Sequence, residues 1–307
     1  MNEQNKKVAI LCSADLLPGH PERRADYFEL EDEIGKLTPA FAAHGMKLDL
    51  LEWHEAVEKA GDYAAVLPLL VWDYAKGNQE DFLQTMAQVC QRTNLYNRFD
   101  ILKWNSNKSY LEDLGARGAP TIPTLHVERA TERDAMRAFE RFDCDRLVIK
   151  PDVGAGAWRQ VILAKGDPWP EADKLPPKGA LLQPYLESVA NEGEYSFVYF
   201  EGRFSHALIK KPKAGDYRVQ SIYGGHEEPY QPSEAEREQA RAVLDVLDQT
   251  PLYARVDLIR GAHGQMLLIE LEMIEPYLYL NMVEGEGANN KGAQRLARAL
   301  ARRLATP

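Results

Sequence analysis

Short apolar runs along this chain alternate with stretches in which apolar positions return every three to four residues. Residues 7–12 (KVAILC), 47–51 and 63–72 are apolar runs of strand length, whereas 27–44 and 79–92 carry helical spacing. Gly45 follows the first helical stretch as a natural stop. Strand, helix, strand, strand, helix over the first hundred residues predicts a parallel sheet with helical crossovers. The polar stretch 13–26, with Pro18, Gly19 and Pro21, is a loop after the first strand. Such loops bind ligands in open α/β sheets, and equally often merely connect.

The pattern changes after residue 105. A helix is predicted over 108–117, with Ser106 as N-cap and Gly118 as its stop. Strands at 121–127, 146–150 and 160–164 and a helix at 132–142 make a small mixed lobe, followed by a Pro- and charge-rich loop at 167–178. Beyond residue 180, strands at 194–200 and 203–210 flank Glu201-Gly202, a hairpin signal. A helix over 233–249 opens with Ser233 and Glu236 in capping-box spacing. Strands at 253–260 and 265–273 form a second hairpin, and 290–304 reads as a basic C-terminal helix.

This second hairpin carries chemistry. Glu270 and Glu272 share one face of their strand because side chains alternate. Pairing Arg260 with Gln265 sets Asp257 opposite Leu268, on the same face as both glutamates. Val256, Leu258, Leu267, Ile269 and Leu271 then form an apolar stripe behind them. Three gathered carboxylates repel one another unless a cation joins them, and hard oxygen ligands suit magnesium. A merely charged, exposed sheet face is the plainer alternative.

Composition narrows the class. Of 307 residues, 45% are hydrophobic, enough for a real core and, at roughly 100–200 residues per domain, for two or three domains. The 47 acidic and 37 basic residues leave a formal net charge of −10, which disfavours a nucleic-acid partner. Cys12, Cys90 and Cys144 are far apart and odd in number, so a disulfide framework is not expected, and each reads as a buried thiol. No apolar run spans a bilayer and residues 1–7 are polar, so no membrane partner and a cytoplasmic location are expected.

Two further segments matter. The turn 150–158 (KPDVGAGAW) follows a predicted strand, and its small residues let backbone N–H groups approach a phosphate. A GxG turn alone is also what many tight turns look like; this one is neither a P-loop nor a dinucleotide fingerprint. The basic stretch 210–218 (KKPKAGDYR) could hold a phosphoryl group or a substrate carboxylate, or be a solvated loop.

In their order, these segments resemble the ATP-grasp superfamily. Lys108 opens the middle lobe and Lys150 ends a strand. The loop Gly154, Ala155 and Gly156 comes next, then a hinge, 182–186 (LQPYL), with Gln183, Tyr185 and Leu186. Glu194 stands at the ribose-binding acidic position. Residues 216–218 (DYR) look like the DFR-type arginine of ribosomal-protein glutamate ligases, and 254–257 (ARVD) with 269–272 (IELE) like the metal-binding strand pair. The text from 193 to 225 is similar to the bacterial glutathione-synthetase-like group, which includes an enzyme that closes the D-cycloserine ring. The first hundred residues fit the preceding domain by fold pattern only. Glu272 stands where many members have Asn, and Gln183 where Glu is frequent.

The resemblance implies an α/β ATP-grasp fold: an N-terminal parallel α/β domain (1–104), then two α+β lobes (105–183 and 184–307) clamping ATP. It implies an ATP-dependent carboxylate–amine ligase working through an acylphosphate. Lys108, Lys150, Gly154, Ala155, Gly156, Gln183, Tyr185, Leu186, Glu194 and Lys210 would bind nucleotide. Asp257, Glu270 and Glu272 would hold Mg2+, with Mn2+ as a substitute, and Arg218 and Arg255 would stabilise developing charge. The partners would be a small carboxylate and an amine, joined between molecules or by ring closure, with a homo-oligomer compatible. Segments 18–27, 72–74 and 277–281 would select the substrate. A regulatory member that binds ATP without ligating is the alternative, disfavoured by the retained arginines and carboxylates. A nicotinamide-dependent dehydrogenase lacks its glycine fingerprint after Cys12.

Overall fold

The computed structural model describes residues 6–213, 218–219 and 224–305. The first segment runs β1 (Lys6–Cys12), α1 (Tyr27–Ala42), β2 (Met46–Glu52), α2 (Ala56–Lys59), β3 (Ala65–Leu70), α3 (Gln79–Val89), β4 (Asn94–Leu95) and α4 (Phe99–Asn105). Its strands pair in parallel in the order β2-β1-β3-β4. All six residues of β3 are buried, as expected for a strand covered on both faces.

The middle segment runs α5 (Tyr110–Ala116), β5 (Leu125–Val127), α6 (Glu132–Phe142), β6 (Arg146–Pro151), β7 (Val161–Ala164) and β8 (Ala180–Pro184). Its sheet is antiparallel in the order β5-β8-β6-β7. Leu147 and Ile149 of β6 pack with Ala138 and Phe139 of α6, so Val148 and Lys150 face the other way. The last segment runs α7 (Ser188–Asn191), β9 (Glu194–Phe200), β10 (Arg203–Lys211), β11 (His226–Tyr230), α8 (Glu234–Asp245), β12 (Tyr253–Arg260), β13 (Met266–Glu272) and α9 (Lys291–Ala305). Its antiparallel sheet has the order β11-β10-β9-β12-β13. Ser233 and Glu236 make the expected capping box at the start of α8. Among the described residues, no helix is long and apolar enough to cross a membrane.

Several expectations need correction. Ser106 does not cap α5; its N–H donates to Leu102 at the end of α4, a helix the apolar pattern did not reveal. The strand expected at 121–127 is confined to β5, because Pro120 and Pro123 cannot donate to a ladder. Thr121 makes only an isolated bridge to Leu268. Cys12 is buried, but Cys90 is exposed and Cys144 partly so; all three are free thiols.

The hairpin register also differs. Arg260 pairs with Met266, and a bulge between Asp257 and Leu258 leaves Ile269 as the extra residue. Asp257 therefore stands directly opposite Glu270, and Arg255 opposite Glu272. The shift puts Leu268, not Leu267 or Ile269, into the apolar core with Val256, Leu258 and Leu271.

Candidate active site

The middle and last segments face each other across a cleft enclosing about 920 Å³, its open mouth included. The cleft brings together Lys108, Lys150, Gly154, Ala155, Gly156, Gln183, Tyr185, Leu186, Glu194, Arg218 and Glu270 from the expected set. Sequence reading missed its apolar walls, which include Ile122, Val148, Ile259 and Ile269. The signal for Val148 was the alternation along β6; Ile269 reaches the cleft only through the bulge.

Two lysines meet the glycine turn and the acidic hairpin. The Lys108 ammonium lies 3.0 Å from Glu270 and also donates to the Gly154 carbonyl. Its backbone N–H donates to the Asp152 carbonyl at 2.7 Å, and Asn107 Nδ2 donates to the Asp152 carboxylate at 3.0 Å. Asp152 thus ties the start of α5 to the turn, a role the sequence did not signal. Lys150 Nζ donates to the Ile269 carbonyl at 3.2 Å. Burial, aided by Lys108 and opposed by Glu270 and Glu194, pushes its ammonium down to about 8. Against burial, Lys108 and Lys150 hold the Glu270 carboxyl below its ordinary range.

Beside the cleft, charges alternate across the sheet. Lys210 does not line the cleft; it pairs with Glu194 and lies 3.8 Å from Asp257. Arg255 Nη2 donates to Asp257 at 2.9 Å and also pairs with Glu272. Against burial, Arg255 and Lys210 keep Asp257 ionised below its ordinary range. Burial, opposed by Arg255 and reinforced by Asp257 and Glu270, pushes the Glu272 carboxyl up to about 8. Among the described residues, no three His, Cys, Asp or Glu side chains converge on a point that could hold a metal ion. The three hairpin carboxylates share a face, but cations stand between them.

The three segments expected to select the substrate also meet. The Arg24 guanidinium lies over the Trp72 ring at 5.4 Å, and Trp72 meets Tyr277 edge-on at 6.5 Å. Arg255 Nη1 donates to the Tyr277 carbonyl at 3.0 Å, so this wall adjoins the charge network. Arg218 lines the cleft, while Asp216 and Tyr217 of the same motif lie outside the described residues.

Comparison with known proteins bears on the family and the fold. Residues 8–97 match the family model described as D-cycloserine synthetase DcsG, N-terminal domain. The cycloserine biosynthesis protein DcsG of Streptomyces lavendulae is 30% identical over 294 residues, covering 90% of this chain and 95% of that protein. The chain belongs to the D-cycloserine synthetase group of the ATP-grasp superfamily. The crystal structure of D-cycloserine synthetase DcsG superposes with a TM-score of 0.79 at 26% identity, covering 97% of this chain and 99% of that one. A D-alanine–D-alanine ligase from Bacillus anthracis complexed with ATP gives 0.64 at 14% identity, covering 98% and 97%, and so shares the fold. The first hundred residues, assigned above by pattern alone, are thereby given a family of their own.

Proposed function

We propose that this chain uses ATP and Mg2+ to activate the carboxylate of a small amino acid that carries its own nitrogen nucleophile, and closes it into a ring. As a member of the ATP-grasp ligases it is an ATP-dependent enzyme that forms C–N bonds. The observation that carries the reading is one cleft holding Lys108, Lys150, the Gly154 turn and Glu270, in a chain similar to DcsG over nearly its whole length.

Lys108 and Lys150 would contact the nucleotide phosphates, with backbone N–H groups of the Gly154 turn beside them. Gln183, Tyr185 and Leu186 would hold the adenine and Glu194 the ribose, while Lys210 keeps Glu194 in place. Asp257, Glu270 and Glu272, on one face of the hairpin, would offer hard oxygen donors of the kind magnesium prefers. Bound there, magnesium would supply positive charge to offset the negative charge of the phosphates.

A carboxylate oxygen of the substrate attacks the γ-phosphorus and ADP leaves, giving an acylphosphate. The substrate nitrogen then attacks the carbonyl carbon, phosphate leaves, and the nitrogen gives up a proton. Arg255 and Arg218 stabilise charge during transfer. The wall of Arg24, Trp72 and Tyr277 adjoins Arg255 and is assigned to the substrate. An acidic molecule acting on small molecules in the cytoplasm, without nucleic acid or membrane, fits the net charge of −10.

The test is coupled ADP release with a panel of amino acids that carry a side-chain nitrogen nucleophile. Ring closure predicts turnover with a single substrate and a product lighter by one water. A strict requirement for a second amine would overturn it. Asp257→Ala and Glu270→Ala are expected to abolish turnover; undiminished ADP release would overturn the metal assignment.

A further inference from the structure

At the hinge end of the cleft, one side chain has its orientation set by a residue that does not line the cleft. Gln183 of β8 stands opposite Val148 of β6, and both line the cleft. Its Nε2 donates to Thr124 Oγ1 at 2.9 Å, and Thr124 Oγ1 donates to the Ile122 carbonyl at 2.9 Å. Thr124 is 8% exposed and Gln183 3%.

The direction of this relay follows from what each group can do. A carbonyl only accepts, so the single hydroxyl proton of Thr124 is committed to Ile122. The Thr124 oxygen can then only accept, and Gln183 must present its amino side. The amide oxygen is thereby turned away from Thr124. Gln183 Oε1 has no hydrogen-bond partner among the described residues, yet is not one of the enclosed polar atoms left without one. Gln183 lines the cleft, so this oxygen is the acceptor its side chain has left to offer there. The relay is anchored at its far end: Ile122 N donates to the Leu268 carbonyl at 3.1 Å, and Leu268 N to the Pro120 carbonyl at 2.7 Å.

We propose that Thr124 is a positioning residue for nucleobase choice, holding Gln183 with its acceptor oxygen toward the base so that a 6-amino purine is taken and a 6-oxo purine refused. The proposal rests on the nucleotide reading given above. An adenine amino group donates to Gln183 Oε1. A guanine or hypoxanthine carbonyl would meet that oxygen as acceptor against acceptor. Turning the amide over to greet it would set Oε1 against a Thr124 oxygen whose proton is already spent, leaving both unpaired in a buried place.

The experiment measures affinities of the full chain for ATP, GTP and purine riboside triphosphate, which lacks any 6-substituent. Wild type should prefer ATP over both. Thr124→Val, which keeps the shape and removes the hydroxyl, frees the amide to turn and should cut the ATP-to-GTP affinity ratio by about tenfold. Thr124→Ser should keep the wild-type ratio. An unchanged ratio in Thr124→Val, or an equal loss for all three nucleotides, overturns the proposal, since a merely structural role would not move the ratio. If Thr124→Val does not melt cooperatively, Gln183→Leu decides. It should bind ATP and purine riboside triphosphate equally, and a retained preference for ATP overturns the relay. A wild-type chain that binds no purine triphosphate would remove the nucleotide reading itself, a failure distinct from a lost ratio.

Discussion

Lys150 carries its charge where charge is disfavoured, at the end of a strand, 8% exposed and near a second ammonium. Its proton is held less firmly than a free lysine's, with the ammonium pushed down to about 8. A phosphate is the partner that would make the charged form favourable again, so nucleotide binding should draw a proton onto Lys150 above pH 8. ATP affinity is accordingly expected to fall as pH rises through about 8, whereas in Lys150→Arg, which stays charged, that fall should vanish. Calorimetry in buffers of different ionisation enthalpy measures both affinity and proton uptake. A flat wild-type profile between pH 7 and about 9.5, within reach of the ordinary lysine value, would count against the assignment. Arg255 is the other decisive residue, donating to Asp257, Glu272 and the Tyr277 carbonyl. Arg255→Ala should cost about 10²–10³ in kcat with a smaller change in KM for ATP, read from steady-state ADP release.

The elements show which features a single sequence carries and which arise only in the fold. β6 was legible because Leu147 and Ile149 alternate with Val148 and Lys150, and the period alone says that the lysine faces away from the core. The capping box of α8 was legible because Ser233 and Glu236 act locally. The bulge in β13 was not. Local propensity treats Ile269 and Leu268 alike, and which one enters the core is settled by packing against β12 and α5. That slip moved Asp257 from opposite Leu268 to opposite Glu270, so the carboxylates were foreseen but their pairing was not. α4 escaped because seven residues with mixed polarity show no clear period. Gly193, just before β9, has a role seen only in the fold. Its φ is +116°, and a Cβ there would lie 2.4 Å from the Lys210 carbonyl oxygen. The neighbouring atom is backbone in a sheet and cannot yield. Gly193→Ala should therefore destabilise the chain by roughly 1–3 kcal/mol and loosen the Glu194–Lys210 pair. Denaturant unfolding checks this; a loss below about 0.5 kcal/mol, the usual size for an unremarkable surface change, would contradict it.

At the scale of the whole molecule, the three sheets are not three independent bodies. Leu37 and Phe41 of α1, Leu67 and Leu69 of β3, Val198 and Phe200 of β9, and Leu296 and Leu300 of α9 belong to one apolar core. The parallel sheet and the last lobe are thus joined; α5 and Leu181 of β8 pack into a second core of the last lobe, and the rest of the middle lobe closes a core of its own around α6. Glu33 lies in the join. It is fully buried on α1 and accepts from the backbone N–H of Leu278, and among the described residues its second oxygen has no partner. His206 of β10, its ring pushed down to about 4 by burial, bonds the carbonyl of the same Leu278 at 2.8 Å. Leu278 is thereby held at both its N–H and its carbonyl, and the Tyr277 carbonyl that accepts from Arg255 belongs to the same peptide unit as that N–H. Burial raises the Glu33 carboxyl well above its ordinary value, against the pull of the Leu278 N–H. A group that binds its proton more tightly folded than unfolded favours the fold fully below its unfolded pKa, about 4.3 for Glu, and progressively less as pH rises above it. Glu33→Gln keeps the shape and an acceptor for Leu278 but has no proton to lose. Its stability relative to wild type should therefore climb as pH is raised from about 4 to 8, by about 1.4 kcal/mol for each unit by which the folded carboxyl is raised within that window. Paired denaturation curves at several pH values measure the difference directly. A difference that stays constant with pH would show that Glu33 is not held protonated at the join, and a falling one would reverse the sign of its contribution.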